Sequence, residues 1–147
     1  MKKLIQFATN TQLSDGIYHW VLLFFRILLS VEMIYAHGLK KLGVGVAEAE
    51  QVPNPMHFPE AINNAFAVSA NIFFPILVIF GIFTRLSVLP ILAVTLTGYF
   101  VLHFHDAPLI KDTPYMYSLS YLLLFFLGAG KYSVDYLFNK RVMRPKI

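Results

Sequence analysis

The chain has no cysteine among its 147 residues. Thiol–disulfide exchange by its own side chains is thereby excluded, as are thiolate metal sites and cysteine-ligated iron–sulfur clusters. Any redox role must draw on a partner or on a cofactor held without thiols. Charge is scarce as well: Asp, Glu, Lys and Arg make up 14% of the residues, against about 25% in a soluble domain. With 57% apolar residues and a mean hydropathy of +0.62, this composition describes one integral membrane domain, residues 1–147. The net charge of +4 does not imply nucleic acid, because the basic residues are scattered between apolar runs instead of forming one patch.

About 20 apolar residues cross a bilayer as a helix, and the sequence predicts an all-helical bundle of four such spans at about 18–42, 65–83, 86–104 and 114–128. Lys2 and Lys3 are followed by residues too polar for the core of a secretory signal, so the first span is expected to stay in the mature protein. Asn71 and Pro75 interrupt the second span, and Pro75 predicts a bend. Thr113-Pro114 reads as an N-cap followed by a first helical residue.

Residues 43–64, with Pro53, Pro55 and Pro59, are too interrupted to span and form a loop that is either a cap or a docking segment. Ser133–Met143 suits a helix lying on anionic lipid, within a surface tail at 131–147. Lys2, Lys3, Arg85, Lys131, Lys140, Arg141, Arg144 and Lys146 fall on one side of the spans, against Lys40, Lys41 and Lys111 on the other. By the positive-inside rule both termini are cytoplasmic and loop 43–64 is periplasmic.

Ionisable residues inside a span need a partner or a wet cavity, since each costs about 2.5–3.5 kcal/mol for Arg or Asp at mid-membrane. At 100° per residue Arg26, Ser30, Met33 and His37 share one face of the first span, whereas Glu32 and Tyr35 lie about 120° away, so two different neighbours are expected to serve them. Thr95, Tyr99, His103 and Asp106 form a stripe on the third span, and Ser118, Tyr121 and Phe125 one on the fourth.

Glu32, His37, Asn71, Tyr99, His103, Asp106 and Tyr121 therefore outline a polar pocket in the periplasmic half. His and Tyr would donate to the carbonyl oxygens of a quinone, and a carboxylate would relay protons. The alternative is that these residues only bond one another, at about 0.6 kcal/mol per interhelical hydrogen bond. A metal is not expected, because His103 and His105 would point about 200° apart on a helix. Arg26, Lys40, Lys41 and Arg85 read as structural or topology residues, Arg26 paired with a carboxylate or carbonyls of another helix and Arg85 capping the end of its own.

Arg26, His37-Gly38-Leu39-Lys40-Lys41-Leu42, Gly81-Ile82-Phe83-Thr84-Arg85-Leu86, His103 and Gly128-Ala129-Gly130-Lys131-Tyr132-Ser133-Val134-Asp135 occur in this order at the ends of successive spans. In this arrangement the chain resembles the DoxX family of small four-span bacterial membrane proteins. The resemblance implies an accessory subunit of a redox or respiratory system in the bacterial cytoplasmic membrane, facing quinone or docking a protein partner. Members often carry a glutamate where this chain has Asn71, which leaves Glu32 as the intramembrane carboxylate. Two further readings stay open: a scaffold that docks a partner through loop 43–64, and a small-molecule transporter.

Overall fold

The computed structural model describes residues 1–2, 9–11 and 13–142, and these include no strand. Lys3, Met143, Arg144 and Lys146 lie outside the described residues, so their expected places do too. Helix α1 covers Asp15–Leu42, α2 Glu60–Phe80, α3 Thr84–Leu102, α4 Pro108–Leu127 and α5 Val134–Val142. The first three are long and apolar enough to cross a membrane. α4 has 20 residues and packs along α3 over the broadest interface in the bundle.

Neighbours in sequence are neighbours in space: α1 meets α2, α2 meets α3, and α3 meets α4. Tyr121 then brings α4 back to α1, with its hydroxyl 3.4 Å from Ser30 Oγ. Leu22, Met33, Val78, Val88, Ile91, Leu92, Tyr121 and Leu124 fill the interior. The outward faces carry Phe24, Leu28, Phe73, Phe80, Leu89, Phe100, Leu123 and Phe126, all exposed. Such an apolar exterior is a surface for acyl chains, and the chain is a membrane protein.

One end of the bundle is closed by a buried cation. Arg26 is 1% exposed, and its Nη1 and Nη2 donate to the carbonyls of Ala129 at 2.5 Å and Tyr132 at 2.8 Å. Those carbonyls lie just past the C-terminus of α4, where the helix dipole leaves partial negative charge. Arg85 donates to the carbonyls of Phe125 at 3.0 Å and Phe126 at 3.2 Å. It thus serves the end of α4 and not, as its sequence position suggests, the end of a helix of its own. The reason is geometric: Gly81 turns the chain with φ +68°, which places Arg85 in the first turn of α3, beside the last turn of α4.

Asp135, in the first turn of α5, completes the closure. Its carboxylate accepts from the backbone N–H groups of Phe83 at 2.7 Å and Thr84 at 2.9 Å. The N-cap position of α3 is Phe83, whose side chain offers no acceptor, so α5 supplies the cap from a distance. The Asp135 N–H in turn donates to Gly81 O at 2.9 Å. A Cβ on Gly81 would sit 2.5 Å from Ser133 Cβ and 2.7 Å from Arg26 Nη1, so this turn admits only glycine.

α4 starts at Pro108, six residues before the expected Pro114. Pro108 fits the first helical position as well as Pro114 does. Pro114 is then carried inside the helix, where its carbonyl accepts from the Ser118 hydroxyl at 2.7 Å. α2 likewise starts at Glu60, before the expected Ala65.

Arg26→Met strands the carbonyls of Ala129 and Tyr132, at roughly 1–3 kcal/mol for each buried acceptor left unpaired. We expect thermal unfolding in detergent to move to lower temperature by many degrees, with Arg26→Lys recovering only part of the loss. An unshifted transition for Arg26→Met would mean that water already serves those carbonyls.

Candidate functional site

The opposite end of the bundle is irregular. α1, α2 and α3 each contain one π-helical turn, at Ile34–Gly38, Ser69–Phe73 and Gly98–Leu102. Each π turn inserts one residue into the helical register and is held in place only where the surroundings favour it. Here all three border the same space. Pro75 removes the N–H that would bond the Asn71 carbonyl, and that carbonyl faces Gly38 of α1 instead. A Cβ on Gly38 would lie 2.7 Å from it and 2.6 Å from Ile72 Cγ1, so glycine sets the spacing of α1 and α2.

Between these turns lies a cavity of about 760 Å³, within the range of small-molecule sites. Met33, Phe66, Val94, Leu102 and Pro114 supply apolar walls, while His37, Asn71, His103 and Tyr117 supply polar groups. Asn71 is 3% exposed, and its side-chain amide has no hydrogen-bond partner among the described residues. The His37 ring makes an edge contact with the Tyr117 ring at 5.2 Å, and neither its nitrogens nor the Tyr117 hydroxyl is hydrogen-bonded there. Three unpaired polar groups thus converge on one apolar space. Asn71 is buried and His37 and Tyr117 are half-buried against the cavity, so all three are available to a ligand's polar atoms.

The candidate residues separate into those that meet here and those that do not. His37, Asn71 and His103 line the cavity. Tyr99 and Asp106 do not: they open onto a smaller surface crevice with Lys111, Asp112 and Tyr115. Gly98 and Leu102, three and seven residues after Thr95, line the cavity with His103, whereas the Tyr99 ring lies against Tyr115 of α4. Lys111 Nζ sits 5.2 Å from the centre of the Tyr99 ring, and Asp106 accepts from His103 Nδ1 at 2.7 Å.

Tyr121 is fully buried in the core below the cavity, bonded to Ser30. Glu32 is exposed on the outer face of α1 with Tyr35, because the stripe Arg26–Ser30–Met33 has turned into the bundle. Glu32 makes no hydrogen bond or ion pair among the described residues, and its charge lies within electrostatic reach of Tyr117. Tyr117, expected beside Tyr121 in the outer half of the fourth span, and Met33, expected on the Arg26 face of the first, both line the cavity, whereas Phe66 was not foreseen.

Segment 50–58 covers the cavity's outer end. The Glu50 N–H donates to Lys40 O at 2.9 Å, and its carboxylate pairs with Lys40 at 3.3 Å and Lys41 at 3.2 Å. Asn63 Nδ2 of α2 donates to Pro53 O at 3.1 Å, so the cover is tied to both helices. Burial pushes the Glu50 carboxyl up, but Lys41 and Lys40 outweigh it and hold the group below its ordinary value. A depressed carboxylate contributes stability at neutral pH and loses it as pH falls through its folded value, below about 4.3. Because Glu50 is largely exposed, the clasp contributes no more than about 1 kcal/mol. A nitroxide on Met56→Cys, the sole thiol in the chain, should gain mobility in Glu50→Gln at pH 7, and in the otherwise unchanged protein below pH about 4. Equal mobility in all cases would remove the clasp from the account.

Comparison with known proteins places the matched region across the site. The family model described as DoxX matches residues 21–104, which include Arg26, His37, Asn71, Arg85 and His103 but not α4 or α5. An uncharacterised protein of Haemophilus influenzae is 32% identical over 96 residues, 62% of this chain and 64% of that relative. The chain therefore spans somewhat less than two thirds of that relative's length. No solved structure matches. With more than half of its length under the family model, the chain belongs to the DoxX family.

Proposed function

We propose that this protein is an accessory subunit of a membrane redox system and binds a quinone, or a ring ligand of like chemistry, in the cavity bounded by the three π turns. The observation that carries the reading is the convergence of the unpaired Asn71 amide, His37 imidazole and Tyr117 hydroxyl on an otherwise apolar space of ligand size. Each of these groups has a donor for a carbonyl oxygen, and Met33, Phe66 and Val94 offer apolar contact to a ring. The general association of DoxX proteins with membrane redox processes points the same way. His103, held by Asp106 at the mouth, is a secondary contact.

In this reading α4 is a fourth span, both termini face the cytoplasm of a bacterium, and the cavity opens in the periplasmic half of the inner membrane. The charge distribution supports it: the Arg26 end carries Arg85, Lys131, Lys140 and Arg141, the cavity end Lys40, Lys41 and Lys111. The tying of segment 50–58 to α1 and α2 favours a cover over a free docking loop. The Ser30–Tyr121 layer beneath the cavity argues against a transport path.

Two experiments test this. Purification from native membranes in mild detergent, followed by mass spectrometry, should find close to one quinone per chain, reduced at least tenfold in Asn71→Leu/Tyr117→Phe. A native preparation without quinone would sink the ligand assignment. Because the chain has no cysteine, single-thiol variants report topology directly. Lys111→Cys should react with an impermeant maleimide from the periplasmic side and Lys140→Cys should not; the reverse pattern would invert the bundle.

A further inference from the structure

The cavity has three closed sides and one open one. Its outer end is covered by segment 50–58, held by Glu50 to α1 and by Asn63 to α2. Its floor is Met33, 1% exposed, above the Ser30–Tyr121 contact. Toward α1, the Gly38 approach to the Asn71 backbone closes the wall.

The side between α2 and α3 differs. α2 packs on α3 chiefly from Ser69 onward, and its stretch Glu60–Val68 approaches α3 at few points at most. Ile62 at 61% and Phe66 at 46% on α2, and Leu102 at 40% on α3, line the cavity and yet remain exposed, as does Ile110 of α4 at 54%. All four are apolar. At membrane depth, exposure of such a rim is exposure to acyl chains, since an opening meant for water would carry polar groups at its edge.

Resting on the binding reading above, we infer that the ligand enters sideways from the lipid phase, between Glu60–Val68 of α2 and the end of α3. It is therefore an amphiphile: a hydrogen-bonding ring that reaches Asn71, His37 and Tyr117, and an alkyl or isoprenoid tail that lies across Phe66 and Leu102 into the bilayer. A water-soluble ring without a tail fits this route poorly. It would have to pass the Glu50 clasp, and it would leave the apolar rim uncovered.

The chain's only tryptophan, Trp20, lies at the other end of the bundle, 4.6 Å from the Tyr132 ring, so a single-tryptophan reporter is easily made. The test uses Trp20→Phe/Phe66→Trp in phosphatidylcholine vesicles, with decylubiquinone as quencher. Trp20→Phe/Leu28→Trp, on the outer face of α1, measures quenching by quinone merely dissolved in the lipid. The rim tryptophan should be quenched saturably and at least threefold more than the Leu28→Trp reporter. The same ring without its decyl tail should reproduce little of that excess, and adding Asn71→Leu should abolish it. Ile62→Trp, one turn away, serves as a second rim reporter should Phe66→Trp disturb folding.

Rim quenching equal to the Leu28→Trp control, in a protein that still retains quinone through Asn71, would overturn lateral entry and leave the site standing. Equal strength from the tail-less ring would overturn the amphiphile assignment. If no quinone is retained and Asn71→Leu changes nothing, the binding reading fails and this inference with it.

Discussion

The structure depends on one buried guanidinium. Arg26 lies inside α1 where an isolated cation would cost several kcal/mol, and no carboxylate among the described residues hydrogen-bonds to it. Its charge is met by two carbonyls of the segment that follows α4, where the helix dipole already concentrates negative potential. To reach those carbonyls the segment must fold back under α1. That fold brings Asp135 to the start of α3, and Gly81 must then be bare because Ser133 and Arg26 occupy the space a Cβ would take. Family-like motifs far apart in the chain thus form a single clasp whose members constrain one another.

That rigid end allows the other to be irregular. Three π turns, a proline that frees a backbone carbonyl, and an amide left unpaired would each weaken an isolated helix by an amount comparable to a lost hydrogen bond. Such departures persist only when the surrounding packing over-determines them. Helices α1 to α3 are held at the Arg26 end by Val78, Val88 and Ile91 in the core, and α3 is held along its length by α4. Their outer halves can therefore diverge around a cavity without loosening the bundle. The division of labour is spatial: ionic and capping contacts fix one end, and the end that offers a ligand space is built from geometry that local propensity disfavours.

Much of the architecture was legible because apolar length and charge position act locally. Helix-forming runs and the buried face of α1 follow from composition and a 100° period alone. What was not legible depends on packing. A stripe drawn through Thr95, Tyr99 and His103 is about 100° wide, and only the packing of Tyr99 against Tyr115 decides that its ring leaves the cavity for the neighbouring crevice. The role of Arg85 required knowing that a turn at Gly81 sets it beside the end of α4, a contact 40 residues away in sequence. The start of α4 was misplaced because two prolines, Pro108 and Pro114, both suit a first helical position, and only packing selects between them.

The placement of Glu32 and Asn71 bears on the chemistry. The carboxylate is on the outer face, and the neutral amide occupies the interior. A carboxylate in the space beside Asn71 would face the desolvation cost of a buried charge, with Arg26 already engaged below it. An amide offers two donors and an acceptor there at any pH. Beside it, the Tyr117 hydroxyl and the His37 imidazole each offer a donor as well as an acceptor. Recognition by such a trio is directional but nearly neutral, the arrangement suited to holding an uncharged ring by its carbonyl oxygens. A proton arriving at or leaving such a ring would have to pass by His37 or come from the mouth, where His103 and Asp106 are paired. The electrons would have to come from a partner or from the ligand itself, because the chain brings no thiol of its own.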